Sequence, residues 1–166
     1  MPWANGKGTS YEIASDRDDE DRWTWRVAIA PVVEDGQFSS LPGVNRELVV
    51  IEGNGMVLEV DGKSVECMPG QVIRFSGDST TFARLVDGPV VDLGLMTLRG
   101  SVAGSMSIVA EAGDNLGSRV VVALSDKVEI EVEGLSHVLD RLDAVIQKDG
   151  NTVCLISGVV ACLIVI

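Results

Sequence analysis

Leu58-Glu59-Val60-Asp61-Gly62 returns 72 residues later as Ile130-Glu131-Val132-Glu133-Gly134. In both stretches the chemistry alternates. Met56, Leu58 and Val60 are interleaved with Val57, Glu59 and Asp61, and Val128, Ile130 and Val132 with Glu129, Glu131 and Glu133. Successive side chains of a strand point to opposite faces, so this period of two predicts antiparallel strands with one buried and one wet side. The acid-glycine step after each supplies a turn.

Turn signals recur at Asp35-Gly36, Pro42-Gly43, Asp61-Gly62, Pro69-Gly70, Asp87-Gly88 and Asp149-Gly150. Short strands at that spacing predict an all-β sandwich or barrel. Residues 135 to 142 come nearest to a helical period, enough for a single turn of helix. The repeat continues at the same offset, Pro69-Gly70-Gln71-Val72-Ile73 aligning with Arg141-Leu142-Asp143-Ala144-Val145, and Gly77 meets Gly150 after one inserted residue. The chain thus reads as two copies of one β unit, divided in the Gly- and Ser-rich stretch from Gly100 to Ser118. A strand, a Gly turn, a short loop, then Pro-Gly and another apolar strand is the rhythm of a cupin barrel. The expected architecture is a cupin-like double barrel (bicupin) of two antiparallel units. Residues 1–100 form the first barrel, and residues 101–166 form a second half that shares strands with it.

Acidic residues outnumber Lys and Arg 25 to 13, for a net charge of −12. That balance argues against nucleic acid, whose binding depends on cations neutralising phosphates, and against anionic membrane surfaces. The apolar run from Thr152 to Ile166 has about fifteen residues against the ~20 of a spanning helix. Its β-branched residues and Gly158 predict two buried strands around Ser157-Gly158. No signal peptide is visible at the N-terminus, and Cys67, Cys154 and Cys162 form no framework of pairs. The expected compartment is the cytoplasm. A single histidine, His137, rules out a histidine-held metal centre, and it is expected in a loop or satisfied in the core. No metal and no other cofactor is expected.

Gly6-Lys7-Gly8-Thr9 is not a phosphate loop, because it lacks the preceding strand, the four-residue spacer and the following helix. Ser39 and Ser105 lack the setting of a triad, and the acidic run from Asp16 to Asp21 is a solvated loop. Three charges stand out because they interrupt apolar strands. Arg26 lies in Trp23-Thr24-Trp25-Arg26-Val27-Ala28-Ile29-Ala30, Arg46 opens Glu47-Leu48-Val49-Val50-Ile51, and Asp92 sits in Val90-Val91-Asp92-Leu93-Gly94-Leu95-Met96. A buried charge needs a partner. Either Asp92 satisfies an arginine and ties strands together, or the three line a pocket for a small acid with a guanidinium left to hold it.

Several blocks in order resemble the HutD/Ves family of bicupin proteins. They are Trp3-x-Asn5-Gly6-x-Gly8-Thr9 with Glu12-Ile13-Ala14, Trp25-Arg26-Val27, Gly36-x-Phe38-Ser39, Pro42-Gly43-x-x-Arg46, Glu52-Gly53, Phe75-x-Gly77-Asp78 and Leu85-x-Asp87-Gly88-Pro89-x-x-Asp92-Leu93. The resemblance implies a double cupin-like barrel without metal-binding histidines, and an accessory or regulatory role in histidine utilisation. Lys7, Ala28, Gly94 and Leu98 depart from the family's usual pattern. If Ala28 and Gly94 face the barrel interior, the pocket is larger and less polar. The expected function is non-catalytic, metal-independent binding of a small carboxylated metabolite of the formylglutamate, urocanate or formate type. Arg26 and Arg46 would hold the acid and Asp92 would fix one arginine, with Asn5 and Glu12, and with them Trp3, coming from the opening segment. The alternatives are a metal-free isomerase or hydrolase using Asp92 or Glu12 as general base, and a packed assembly module. A homodimer is one expectation for its assembly.

Overall fold

A computed structural model describes residues 9–113, 116–147 and 152–166. Among them every regular element is a strand, and the chain divides into two compact units, Met1–Ala103 and Gly104–Ile166.

The first unit carries nine strands: β1 (Tyr11–Arg17), β2 (Trp23–Val32), β3 (Gly36–Gln37), β4 (Val44–Glu52), β5 (Met56–Val60), β6 (Lys63–Cys67), β7 (Val72–Ser76), β8 (Thr81–Leu85) and β9 (Val90–Leu98). They form one sheet in the order β1-β2-β9-β4-β7 and another in the order β3-β8-β5-β6. All pairings between these strands are antiparallel. The alternation at Met56, Leu58 and Val60 places Met56 and Leu58 in the core. There they meet Leu48, Val50 and Ile73 from the first sheet and Cys67 and Ala83 from their own. Both sheets therefore turn their apolar faces to one interior, the arrangement that removes most hydrocarbon from water. β9 is the centre of the five-stranded sheet, paired to β2 on one side and β4 on the other. Its residues from Asp92 to Thr97 are all buried.

The second unit holds β10 (Gly104–Val109), β11 (Val120–Ala123), β12 (Val128–Val132), β13 (Leu135–Leu139), β14 (Ala144–Ile146), β15 (Val153–Ser157) and β16 (Val160–Val165). The sheet orders are β10-β16-β11-β14 and β13-β12-β15. This connectivity copies the first unit: β12 pairs with β13 and β15 as β5 pairs with β6 and β8, and β11 pairs with β14 and β16 as β4 pairs with β7 and β9. The bounds of β12, β13 and β15 lie 72 residues beyond those of β5, β6 and β8. The hairpin turns agree in detail. Asp61 and Gly62 have φ of 48° and 77°, and Glu133 and Gly134 have 50° and 80°. Two consecutive positive φ values make the turn whose twist suits a two-residue hairpin. Among the described residues, each of the four sheets is built from strands of one unit.

Two local expectations meet the structure differently. The turn of helix over 135–142 does not form. Leu135–Leu139 pairs with β12 from Val132↔Leu135 to Val128↔Leu139, and Leu142 has φ of 71°, as Gly70 has 77° at the aligned position. Ladder hydrogen bonds to an established strand outweigh a weak helical period. The C-terminal run folds as expected into β15 and β16 around Gly158, with Val153, Leu155 and Val160 through Leu163 buried. Gly150 lies outside the described residues. No helix of the described residues is long and apolar enough to cross a membrane.

Candidate functional site

The register of the five-stranded sheet brings the three interrupting charges to one face. Across β2, β9 and β4, Arg26, Met96 and Arg46 form one cross-strand row. Ala28, Gly94 and Leu48 form the next, and Ala30, Asp92 and Val50 the one after. These side chains share parity, so the rows open to the same side. There all of them but Val50 line a cavity of about 240 Å³, bounded also by Ser10, Trp23, Phe38, Ser39, Leu41, Glu47 and Leu95.

Arg46 is held by aromatic rings. Its guanidinium carbon lies 5.1 Å from the Phe38 ring centre and 5.0 Å from that of Phe75, its cross-strand neighbour on β7. Its Nη1 donates to the Ser39 carbonyl at 3.3 Å. Ring faces attract a cation and fix the plane of the fork. Burial pushes the Arg46 pKa down from its usual value, the nearby Asp92 charge opposes this, and the Arg26 charge adds to it. Arg26 leans over Trp23, 5.7 Å from the ring centre, and its Nη2 lies 3.6 Å from Met96 Sδ.

Asp92 is 6% exposed. Burial raises its pKa to about 7, with Arg46 pulling the other way through space rather than through a hydrogen bond. A desolvated carboxylate without a strong partner keeps its proton, so Asp92 accepts or donates a hydrogen bond near neutral pH. Behind it, burial and the Asp92 charge push the Cys67 thiol up to about 12. The middle row is small and apolar, and Ala28 and Gly94 both face the cavity, where the sequence reading placed them conditionally. A Cβ on Gly94 would stand 3.8 Å from Asp92 Oδ1, so the glycine leaves open the space beside that carboxylate.

The mouth loop is pinned from below. Gly77 donates its N–H to the Val44 carbonyl and accepts from the Leu41 N–H, both at 2.8 Å. Asp78 accepts from the Gly43 N–H at 3.0 Å and pairs with Arg99, which holds the Asp78 carboxyl down at about 2.

Of the expected site residues, Arg26, Arg46 and Asp92 come together. Glu12 does not: it is exposed on β1, its Oε1 accepts from Ser15 Oγ at 2.8 Å, and it is no part of the cavity wall. The register of β1 against β2 shifts between Glu12 and Ala14, and Ala14 is buried while Glu12 is exposed. Trp3 and Asn5 lie outside the described residues. His137 stands exposed on β13, neither in a loop nor in the core. The sequence reading missed Ser10, Phe38 and Phe75 as parts of the site. Only the presence of aromatics near Arg46 gave a signal. Among the described residues no three His, Cys, Asp or Glu side chains are grouped to hold a metal ion.

Such an antiparallel β fold with a side-chain-lined interior is cupin-like. A cupin 2 conserved barrel domain protein from Leptotrichia buccalis superposes with a TM-score of 0.63 over 100% of this chain and 90% of that one. At 10% identity this likeness concerns the fold alone. The family model HutD matches residues 1–164, and the chain belongs to the HutD family. The solved structure of HutD from Pseudomonas fluorescens SBW25 (formate condition) is 30% identical, with a TM-score of 0.83 over 100% of this chain and 93% of that one. An uncharacterized 21.2 kDa protein in the hutC 3′ region of Pseudomonas putida is 39% identical over 98 residues, or 58% of this chain and 52% of that one. Protein Ves of Citrobacter koseri is 32% identical over 119 residues, or 70% and 62%. The chain spans about half of the first of these curated relatives and 62% of the second.

Proposed function

We propose that this chain binds a small carboxylated metabolite in the first unit's cavity and so serves histidine utilisation or related nitrogen metabolism. The observation that carries the reading is the pair of arginines on one cross-strand row, facing a cavity that Asp92 also lines. A guanidinium clamped by rings, as Arg46 is, loses little freedom on binding an acid. The cavity suits a ligand of few heavy atoms, since about 240 Å³ is below the size of drug-like sites. Membership of the HutD family supports the link to histidine utilisation. Binding needs no metal in this reading. Calorimetric titration of the folded chain with formylglutamate, urocanate and formate tests it: heat with at least one is expected, and silence with all three removes it.

A second reading has one observation behind it. A carboxylate titrating near 7 in a cleft is what a general base at neutral pH requires. In this reading the chain is a metal-free isomerase or hydrolase with Asp92 as the base. Turnover that survives Asp92→Asn sinks it.

A further inference from the structure

We infer that an anion entering the arginine end of the cavity drives a proton onto Asp92, so that binding here is proton-linked and weakens as pH rises. The inference rests on the carboxylate reading above and adds to it the control that pH exerts on the same site.

The sheet geometry couples the two groups. Met96, between the arginines, and Asp92 stand four residues apart on β9, roughly 13 Å between Cα atoms at ~3.3 Å per residue. Between them lies the row of Ala28, Gly94 and Leu48, which has no side-chain polar atom to screen a charge. The missing side chain at Gly94 leaves the space beside Asp92 Oδ1 open to that row. Arg46 acts across the gap: its charge favours ionisation of Asp92, and the Asp92 charge supports Arg46 in return. This coupling is a field rather than a hydrogen bond, and a field is what a bound anion cancels.

Three effects of a bound anion act on Asp92 with one sign. Pairing with the Arg46 guanidinium removes the charge that favours the carboxylate. The anion's own charge repels a second negative charge across an apolar gap of low dielectric. Its bulk also displaces solvent from a cavity of about 240 Å³, and with it the remaining hydration of a carboxyl that is 6% exposed. Each effect favours the neutral acid, and the proton comes from solvent, at most one for each anion bound. The carboxyl of the free chain titrates at about 7, so the uptake falls in the neutral range. Below that range Asp92 holds its proton before the anion arrives, and affinity is level with pH. Above it, binding must also protonate the acid, and affinity declines. The other charges around the cavity leave this window to Asp92. Arg26 on β2 and Arg46 on β4 carry guanidiniums, which stay charged in proteins. The Cys67 thiol stands at about 12, and Glu47 on β4 is tied to Arg74 at 2.9 Å.

Calorimetry reads the proton directly, because the heat of binding then depends on the ionisation enthalpy of the buffer. Formate and formylglutamate, both fully ionised above pH 6, are titrated into the folded chain at pH 7.5 in phosphate and in Tris. With either anion that gives heat, the wild-type chain should take up roughly half a proton or more per anion, and Kd should weaken about fivefold or more from pH 6.5 to pH 8.5. In Asp92→Asn, an amide of the same size with nothing to titrate, the buffer dependence and the pH trend should both vanish. Infrared difference spectra of the wild-type chain at pH 8 should gain a protonated-carboxyl band when the anion is added, a readout that needs no variant. Heats independent of the buffer, or proton uptake undiminished in Asp92→Asn, overturn the inference while the carboxylate reading stands. Absence of heat with both anions overturns it as well, and silence that extends to urocanate removes the carboxylate reading with it.

Discussion

Asp92 is a destabilising residue whose cost depends on pH. Its carboxyl titrates at about 7 in the folded chain against 3.8 for the ordinary value. The folded state therefore holds the proton more tightly than the unfolded one. The sign follows: the neutral acid is tolerated below pH 4, and stability falls as pH rises from about 4 through 7. A shift of that size corresponds to on the order of 4 kcal/mol at full ionisation. Arg46 and the Cys67 thiol act on Asp92 or feel its charge, and neither changes charge in this window. Asp92→Asn should raise stability at pH 8 by a few kcal/mol and leave it nearly unchanged at pH 4. Urea unfolding at both pH values, read as the difference between the two proteins, checks this; equal differences at pH 4 and pH 8 would count against it. Arg46→Lys keeps the charge but loses the planar fork between Phe38 and Phe75. It should weaken binding of a carboxylate tenfold or more with little effect on Tm, measurable by calorimetry and a thermal melt on one sample. These three charges were legible in the sequence because a charge within an apolar strand demands a physical explanation. Ser10, Phe38 and Phe75 were not, since a small hydroxyl or a ring in a β protein has many ordinary places to be. Glu12 stays outside the cavity wall because the register of β1 shifts between it and Ala14, a local irregularity that a motif block does not report.

At the scale of elements, the mouth of the cavity depends on a glycine that has no unusual φ. A Cβ on Gly77 would stand 2.5 Å from the Leu41 carbonyl oxygen and 3.0 Å from that of Val44, and neither backbone atom can give way without moving the loop. That loop carries Phe38, Ser39 and Leu41 over the site. Gly77→Ala should cost about 1–3 kcal/mol, the usual range for forced overpacking, and should also lower ligand affinity because the Arg46 clamp shifts. A melt combined with a titration tests this. Lost stability with unchanged affinity would show that the loop moves without disturbing the clamp. The hairpins were readable in advance because period-two alternation and an acid-Gly turn report the same structure independently. β3, only two residues long, has no period to read. Residues 135–142 were ambiguous because eight residues hold barely two helical turns, and the deciding partner, β12, is a non-local fact.

For the whole molecule the net charge of −12 is the dominant long-range feature. Like charges oppose compactness, and salt relieves them within a Debye length of ~10 Å at 0.1 M. Tm at pH 7 should therefore rise between 10 mM and 150 mM sodium chloride; a fall would mean that exposed ion pairs such as Arg22 with Asp18 and Glu20 outweigh the general repulsion. The repeat bears on tolerance to change. Seventy-two residues after Arg46 stands Ser118, and β16, the counterpart of β9, reads Val160-Ala-Cys-Leu-Ile-Val165 with no acid in it. The second unit holds a hydrophobic cluster with Leu116, Val121, Ile130, Leu155 and Val160 among its members, and Ser118 and Gln147 are its buried polar residues among those described. The first unit thus holds a costly acid in its cavity, while the counterpart strand in the second carries none. Mutational drift should consequently be unequal: conservative hydrocarbon exchanges will pass in one half, while in the other the same exchanges reshape a cavity.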